Sequence, residues 1–286
     1  MSIGKTGNIT VKLPDGTDLD AKHQVTVIVT DHKKAPQQGK NVTVKGDLGQ
    51  SAAGKTDKNG ELTVPEVEQA ERHGVYIVGY TDGTFGPSRS MTRSEAAAIF
   101  ARLLAEKNGD TISTAANTKF ADIPAHAWYS GYVKYLANNG ITYGKSKTIF
   151  APNDAITRAE FTTMAVRFFD VYGDGDAEIM EQFSGFNDVS SGYWAAEYIK
   201  YAALHGWING YGDGSFHADR EINRAEVVTI VNRLLGREAD EDYIADNLRK
   251  LNTFPDVTKR HWAYYAVMEA ANAHTAVLGE SESWSK

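Results

Sequence analysis

The chain has 286 residues, of which 42% are hydrophobic and 23% are charged, a globular composition that excludes wholesale disorder. Its 37 acidic and 30 basic residues give a net charge of -7, which argues against a nucleic-acid partner because such binding depends on neutralising phosphates. It has no cysteine and no apolar run near the ~20 residues that cross a bilayer, which excludes disulfides, thiolate metal sites and a membrane-spanning helix.

The N-terminal part of the chain alternates between β-branched runs and turn-forming residues. Such runs are typical of strands, and Pro, Gly, Asp and Asn between them are typical of tight turns. The runs occupy residues 9–13, 25–29, 42–44 and 61–64, and the turns lie at 14–16, 36–39 and 57–60. Four or five short strands at this spacing predict a small immunoglobulin-like β-sandwich over residues 1–66.

From residue 67 onward the sequence repeats itself with a period of about 66 residues. The repeated features are Phe-x-Asp, a Trp eight residues after that Phe, a glycine turn with a Phe six residues after the Gly, and Thr/Asn-Arg-x-Glu. They are marked by Phe120, Phe186 and Phe254, by Trp128, Trp194 and Trp262, by Gly79, Gly144 and Gly210, and by Arg93, Arg158 and Arg224. Four features that recur in one order predict an array of similar structural units.

Two amphipathic helices are predicted in each complete copy. Apolar residues recur at helical spacing after the Trp, in a segment that we name helix A, and after the Arg, in a segment that we name helix B. The first copy lacks helix A, and the last copy lacks the glycine turn and helix B. An open half-copy would expose its apolar stripe to water. We therefore predict an all-α pseudo-threefold bundle that is closed by pairing of the N- and C-terminal half-repeats.

This organisation predicts a multi-domain chain of five parts. The β module takes residues 1–66, and the first copy, with its glycine turn and helix B, takes 67–110. The second and third copies take 111–178 and 179–240. The last part, 241–286, holds the closing helix A and a tail. The net negative charge lies in the repeats, because residues 1–68 contain 9 basic and 9 acidic residues.

The arginine of each repeat stands at the first position of the predicted helix B. A Thr or Asn precedes it as N-cap, and the Glu three residues after the cap completes a capping box. A cation at this position is disfavoured by roughly 0.3–1 kcal/mol, because the helix dipole is positive there. Three interpretations stay open: an anion site at the helix N-terminus, a solvated side chain, or an internal ion pair with Asp122, Asp188 or Asp256.

Other features also leave alternatives open. The three Trp residues are either stacking faces for sugar rings or hydrophobic anchors. The acidic segment 170–178 could bind calcium, but Tyr172 stands where an EF-hand needs Asp or Asn, so an acidic loop is favoured. No pair of unrepeated carboxylates and no His-x-x-x-His spacing stands out, and we predict no catalytic residue, metal site or cofactor. A cell-wall glycoside hydrolase and a purely structural surface-layer or spacer module are the alternative functions.

Together, the repeated motifs resemble the S-layer homology (SLH) family. Gly79–Phe85 and Gly210–Phe216 are similar to its Gly-Tyr-x-Asp-Gly-x-Phe pattern, and Ile156–Glu160 matches its Ile-Thr-Arg-Ala-Glu pattern in full. The similarity covers about residues 74–275. The N-terminal part more loosely resembles immunoglobulin-like and carboxypeptidase-regulatory-like modules of bacterial surface proteins.

The SLH resemblance implies a three-pronged helical spindle that attaches a surface protein non-covalently to the bacterial cell wall. It implies an extracellular location, no enzyme activity, and an anionic secondary cell wall polysaccharide as partner. In the family, that polymer often carries pyruvate ketals, and the resemblance implies that the arginine of the motif binds the pyruvyl carboxylate. Met1–Gly7 has no features of a secretion signal, so we expect such a signal outside this sequence. We also expect a monomer in isolation, no membrane insertion, and lateral surface-layer contacts through the β module.

The resemblance also implies a set of ligand-binding residues: Arg93, Arg158, Arg224, Trp128, Trp194, Trp262, Gly79, Gly144, Gly210, Tyr143 and Asn209. Departures from the family pattern predict unequal grooves. Residues 145–149 replace the expected glycine pattern in the second copy and suggest a more basic groove. Asn223 replaces Thr in the third copy, where residues 217–219 replace a Pro-containing loop.

Overall fold

The computed structural model describes residues 7–12, 25–31, 34–39, 41–45, 51–64, 70–172, 183–277 and 283–285. The chain separates into two compact units, one made of residues 1–73 with 274–286 and the other of residues 74–273. The described part of the first unit contains three small antiparallel sheets, and that of the second contains seven α-helices. The architecture is therefore mixed, with sheets and helices in separate units.

The strands of the first unit are short and pair with antiparallel neighbours. They are β1 (Gly7–Lys12), β2 (Val25–Asp31), β3 (Asn41–Lys45), β4 (Ser51–Lys55), β5 (Glu61–Val64), β6 (Ala70–His73), β7 (His274–Val277) and β8 (Ser283–Ser285). One sheet has the order β1-β2-β5, and a second joins β3 to β4. β1, β2, β3 and β5 lie where the β-branched runs predict strands. The predicted turn at 14–16 lies outside the described residues.

The turn before β5 explains its Asp-Lys-Asn-Gly sequence. Oδ1 of Asp57 accepts hydrogen bonds from the backbone N–H groups of Asn59 at 2.8 Å and Glu61 at 2.9 Å. Gly60 has a φ of 73°, and a Cβ there would lie 2.5 Å from the carbonyl oxygen of Val29. Only glycine fits this conformation and this close approach, so the turn can hold β5 against β2.

A third sheet brings two distant parts of the chain together. β6 pairs with β7, which pairs with β8. Nδ1 of His73 lies 3.1 Å from Nε2 of His274, and the His274 ring stacks on Trp284 with centroids 3.8 Å apart. Only a tail is predicted after the closing helix A within 241–286, so β7 and β8 were not predicted.

The helices of the second unit follow the predicted order. They are α1 (Arg93–Asn108), α2 (Ser130–Asn138), α3 (Arg158–Tyr172), α4 (Ala196–Leu204), α5 (Arg224–Leu235), α6 (Glu241–Asn247) and α7 (Tyr264–Ala271). α1, α3 and α5 are the three copies of helix B, and α2, α4 and α7 are the three copies of helix A. α6 and the 3-10 helix at Leu248–Lys250 were not predicted. The capping boxes predicted before helix B are present in all three copies.

The core of the second unit lies between the copies of helix B. Phe100 of α1 contacts Phe161 and Phe168 of α3, with ring centroids 5.4 and 4.9 Å apart. Each helix A packs on the helix B that precedes it in the chain, α2 on α1, α4 on α3 and α7 on α5. Neighbouring copies therefore share their apolar faces, as the two stripes predict.

The segments before the three copies of helix B meet in a closed cycle of backbone hydrogen bonds. The N–H of Met91 donates to the carbonyl of Ile222 at 2.9 Å, the N–H of Ile222 to that of Ile156 at 3.0 Å, and the N–H of Ile156 to that of Met91 at 2.9 Å. All three side chains are fully buried. Each helix B therefore starts from a point that contacts both of the others.

Candidate functional site

The arginines that begin α1, α3 and α5 are buried, with 4%, 5% and 4% of their surface exposed. Nε of each donates to the backbone carbonyl of the Phe in the glycine turn of another copy. The pairs are Arg93 with Phe150 at 2.8 Å, Arg158 with Phe216 at 2.9 Å and Arg224 with Phe85 at 2.8 Å. The interpretation of these arginines as solvated side chains is wrong, because each one joins two copies.

The glutamates of the capping boxes are the ionic partners of these arginines. Nη1 of Arg93 lies 3.1 Å from Oε1 of Glu160, and Nη1 of Arg158 lies 3.2 Å from Oε1 of Glu226. Arg224 pairs with Glu95 at 3.8 Å. The second oxygen of each Glu accepts the backbone N–H of its own N-cap residue. One carboxylate thus caps a helix and binds an arginine of a neighbouring copy.

Burial lowers the pKa of Arg158 and the pKa of Arg224, because a low-dielectric surrounding disfavours the charged form. Nearby groups oppose this effect, Tyr211 and Glu226 beside Arg158, and Tyr80 and Glu95 beside Arg224. Both guanidinium groups remain cationic at neutral pH, because the ordinary pKa of an arginine lies far above neutrality.

The repeated aspartates bind backbone N–H groups of the glycine turns. Asp122 accepts from Phe150 at 2.9 Å and Ala151 at 2.6 Å. Asp188 and Asp256 make the equivalent pairs of bonds, with Phe216 and His217 and with Phe85 and Gly86. The arginines thus form internal ion pairs, as one of the open interpretations states, but with the glutamates. Asp122, Asp188 and Asp256, which were named as partners, are wrong, because both oxygens of each Asp are directed at the turn.

A cavity of about 280 Å³ lies beside Arg158. Its lining includes Asn209, Gly210 and Arg233 of the third copy and Trp262 of the last part of the chain. Nη2 of Arg158 donates to the carbonyl of Asn209 at 3.3 Å. With its amide oxygen toward Arg233, Asn209 accepts from Nη1 of that residue at 3.2 Å. The structure thus brings four predicted residues together: Arg158, Asn209, Gly210 and Trp262.

A second cavity, of about 100 Å³, lies beside Arg93. Tyr143, Gly144 and Arg167 of the second copy line it, together with Trp194 of the third. The guanidinium of Arg167 lies 4.8 Å above the ring of Tyr143 and donates to the hydroxyl of Tyr198 at 3.2 Å. Each cavity is therefore built by three successive parts of the chain. We name the cavity beside Arg158 the large groove and the cavity beside Arg93 the small groove.

The third arginine has part of the same surroundings. Nη2 of Arg224 donates to the carbonyl of Val78 at 2.6 Å, and its guanidinium lies 4.6 Å above the ring of Tyr80. Gly79 lies between these two residues in the chain, so the structure places two of the predicted positions beside each other. Trp128, the Trp that corresponds to Trp194 and Trp262, is 54% exposed.

The tryptophans do not fit the alternative role of hydrophobic anchors. Trp194 and Trp262 are 57% and 65% exposed, and all three Trp residues precede helix A rather than lying within it. Exposed indole rings of this kind lose apolar burial energy in the free protein. Their position at the edge of the grooves is compatible with contact to a ligand.

The three predicted glycines have a packing reason of their own. A Cβ at Gly144 would lie 2.5 Å from the ring of Phe120, and a Cβ at Gly79 or Gly210 would be equally close to Phe254 or Phe186. Each glycine therefore lies directly against the Phe of a Phe-x-Asp motif, where no larger residue fits without movement. In all three cases, a Phe-x-Asp motif and a glycine turn therefore pack together as one unit.

Sequence reasoning missed a second arginine in each copy. Arg102, Arg167 and Arg233 each follow the first arginine of helix B by nine residues. Arg167 and Arg233 line the two grooves. The recurrence of an arginine nine residues after the first one was visible in all three copies. Without knowledge of its tertiary contacts, however, an arginine on a helix is interpreted as an ordinary solvated side chain.

The glycine turn of the second copy differs from the others by a paired exchange. In the first copy the guanidinium of Arg89 lies 4.1 Å above the ring of Tyr80, and in the third copy Arg220 bonds to Tyr211. In the second copy these two positions hold Asp154 and Lys145, whose charged groups lie 2.8 Å apart. The charge of Lys145 is therefore paired with that of Asp154, and the more basic groove expected in the second copy stays a prediction.

The acidic segment considered for calcium, at 170–178, lies mostly outside the described residues, which end at Tyr172 on this side. None of the helices in the described ranges is long and apolar enough to cross a membrane.

A known protein family has sequence repeats at the same places in the chain. A family model described as S-layer homology domain matches residues 61–97, 119–162 and 185–228. The chain carries three S-layer homology repeats. Each matched stretch from the second onward contains one Phe-x-Asp motif, the Trp eight residues after its Phe, one glycine turn and the start of one helix B.

Several proteins whose names place them at bacterial surfaces are similar in sequence to this chain. Cell surface glycoprotein 1 of Acetivibrio thermocellus is 34% identical over 73% of this chain and 9% of its own length. The cellulosome-anchoring protein of the same organism is 29% identical over 81% of this chain and 49% of its own length. The surface-layer 125 kDa protein of Lysinibacillus sphaericus is 32% identical over 56% of this chain and 13% of its own length. The chain thus spans at most about half of these relatives.

Proposed function

We propose that this chain anchors a larger surface protein non-covalently to the bacterial cell wall, by binding an anionic wall polysaccharide that carries pyruvate ketals. Arg93, Arg158 and Arg224 bind the carboxylate of the ketal. The exposed tryptophans stack on neighbouring sugar rings. The chain acts outside the cell as a binding module and has no catalytic role. Relatives named as surface-layer and cellulosome-anchoring proteins support this assignment.

The observation that carries the proposal is the meeting of a buried arginine and an exposed tryptophan in one groove. Arg158 and Trp262 line the large groove, and Arg93 and Trp194 line the small groove. A guanidinium has five N–H donors, and Arg158 uses three of them, toward Phe216, Glu226 and Asn209. The remaining donors suit a carboxylate, and an indole face suits the apolar face of a sugar.

The proposal includes a closed pseudo-threefold bundle in the helical unit. The cycle of hydrogen bonds among Met91, Ile156 and Ile222 supports the threefold arrangement. The packing of Phe254 against Phe85, with ring centroids 5.3 Å apart, supports closure of the first half-repeat by the last. Closure matters for function, because Arg224 then has a turn carbonyl and a glutamate of another copy as partners, like Arg93 and Arg158.

The proposal also includes an immunoglobulin-like sandwich for the β module, with sheets β1-β2-β5 and β3-β4 as its two layers. Contacts between β4 and β5 support this pairing of layers. We assign the module to lateral contacts within a surface layer, and the chain by itself to the monomeric state. The boundaries at 1–66, 67–110, 111–178, 179–240 and 241–286 are part of the proposal.

The test is binding of the chain to purified cell walls before and after chemical removal of the polymer that is not peptidoglycan. We expect binding to be lost with the polymer. Arg93→Lys, Arg158→Lys and Arg224→Lys should weaken binding together, because Lys keeps the charge but lacks the planar fork that fits a carboxylate. Circular dichroism must show that the variant remains folded. Full binding to stripped walls, or release of sugar during incubation, would contradict the proposal.

A further inference from the structure

The two grooves contain a second cation that the proposed function does not use. We infer that the second arginine of each copy, Arg102, Arg167 or Arg233, is the accessible contact for the anionic group of the ligand. The first arginine then holds the groove together and contributes its remaining donors. This inference rests on the proposed function and adds to the same site a second arginine that contacts the anionic group together with the first.

The charge balance of the large groove is the first argument. Arg158 and Glu226 both line it and lie 3.2 Å apart, and Glu226 also pairs with Arg220. A ligand carboxylate that approaches Arg158 therefore also meets the negative charge of Glu226, which weakens the net attraction at this point. Arg233 lines the same groove and supplies a positive charge that is not offset in this way.

The small groove repeats this balance. Arg93 and Glu160 line it and form an ion pair at 3.1 Å. Arg167 lies in the same lining. Within the described residues, no carboxylate lies within 4.0 Å of the guanidinium of Arg102, Arg167 or Arg233, whereas Glu160, Glu226 and Glu95 each lie within that distance of a first arginine. Among the arginines that line the two grooves, Arg167 and Arg233 therefore have no carboxylate partner in the described part of the chain, whereas Arg93 and Arg158 each have one.

Accessibility is the second argument. The side chains of Arg93 and Arg158 are only 5% and 6% exposed. Arg233 is exposed and Arg167 is half-buried. A ligand that enters from solvent therefore reaches the second arginine first.

The second arginines are also held in place without losing their charge. The guanidinium of Arg167 lies between the rings of Tyr143 and Tyr198, 4.8 and 5.0 Å from their centroids. Arg102 lies 5.0 Å from the centroid of Tyr132 and donates to the carbonyl of Tyr76 at 3.3 Å. Aromatic faces orient a guanidinium but do not neutralise it. Such an arginine can meet an anion with little loss of side-chain freedom.

The experiment uses the whole chain and two small probes. One is a methyl hexoside with a cyclic pyruvate ketal, and the other is its methyl ester, which has the same shape without the charge. Isothermal titration gives the affinity of each, and the ratio of the two affinities measures anion selectivity. The variant replaces Arg102, Arg167 and Arg233 with Gln. The matched control replaces three exposed cations outside the grooves, Lys134, Lys200 and Arg249, with Gln.

We expect the parent and the control to prefer the acid over the ester, and the variant to lose about tenfold or more of that preference while its affinity for the ester changes little. Arg233→Gln alone, at an exposed position, should cause part of the loss if the triple variant does not fold. An unchanged preference in folded variants would overturn this inference and leave the proposed function standing. A parent that does not distinguish acid from ester would overturn both.

Discussion

Asp256 accepts a hydrogen bond from the backbone N–H of Phe85 at 2.8 Å, although 171 positions separate them in the chain. Asp122 and Asp188 make the same bond to Phe150 and Phe216 within their own copies, over 28 positions. The long-range bond is therefore the counterpart of two local ones. A motif near the end of the helical unit completes a glycine turn near its start.

This relationship predicts that Asp256 contributes to the stability of the helical unit. Asp256→Ala removes the acceptor for two backbone N–H groups, and we expect the free energy of unfolding to fall by about 1 kcal/mol, at the low end for charged acceptors because the site is exposed. Urea unfolding followed by circular dichroism at the helix band measures this change. Asp246→Ala, at an exposed position of α6, is the control. Equal effects of the two substitutions would contradict a closing role for Asp256.

The exposed tryptophans are predicted to act in binding and not in stability. Trp194→Ala and Trp262→Ala should each change the free energy of unfolding by only about 0.5 kcal/mol, because more than half of each side chain is already exposed. Their affinity for cell walls should fall, as each Trp lines a groove. Leu248→Ala, an exposed apolar residue away from the grooves, should change neither quantity. A large loss of stability in the Trp variants would assign them a packing role.

Two glycines of one turn offer a matched pair of substitutions. A Cβ at Gly210 would lie 2.7 Å from the carbonyl oxygen of Ser215 and even closer to the ring of Phe186, whereas a Cβ at Gly212 meets nothing within 4 Å. We expect Gly210→Ala to cost about 1–3 kcal/mol through overpacking. Gly212→Ala should be close to neutral. Thermal unfolding of both variants measures the difference, and similar midpoints would show that the close packing of Gly210 is not needed.

Asp188 is predicted to make stability depend on pH in the acid range. Burial raises its pKa, but hydrogen bonds from the backbone N–H groups of Phe216 and His217 outweigh this effect, and the pKa lies below its ordinary value of 3.8. Because the unfolded chain then binds the proton more readily, the stabilisation is complete above pH 3.8 and is lost as pH falls through the folded pKa.

The measurement for Asp188 is the urea midpoint of the parent and of Asp188→Asn between pH 6 and pH 2. The parent should be more stable at pH 6, and the difference should shrink as the pH approaches 2. Asp246→Asn is the control, and its difference from the parent should show no such trend. A constant difference between the parent and Asp188→Asn would contradict the assignment.

Much of the helical unit could be predicted because its signals are local. A capping box needs only the N-cap and the residue three positions later. The first residues of α1, α3 and α5, which are Arg93, Arg158 and Arg224, could therefore be predicted. The stripes of helix A and helix B likewise depend on residues within a few turns. The glycine turns were visible for the same reason, although their packing against Phe120, Phe186 and Phe254 was not.

The carboxylate partners of the three arginines could not be predicted. The expected partners, the aspartates of the Phe-x-Asp motifs, are wrong. Asp122 and Glu160 are both acidic neighbours of the same turn, and nothing in their spacing tells which one faces Arg93. The structure shows that the Glu at the third helical position reaches the arginine of the preceding copy, whereas the shorter Asp binds the glycine turn of its own copy. The pairing of β6 with β7 was beyond prediction for a similar reason, since their residues are 201 positions apart at His73 and His274.

The sequence by itself determined the repeat, the start of each helix B and the identity of three arginines at helix N-termini, because these follow from hydrogen bonding and apolar spacing within a few residues. Only the tertiary structure decided that each arginine is buried against a glutamate of another copy, and that Arg158 and Arg233 share a groove with Trp262. Those arrangements depend on how the copies are rotated against one another. That rotation is set by the packing of whole helices, to which no single motif in the sequence corresponds.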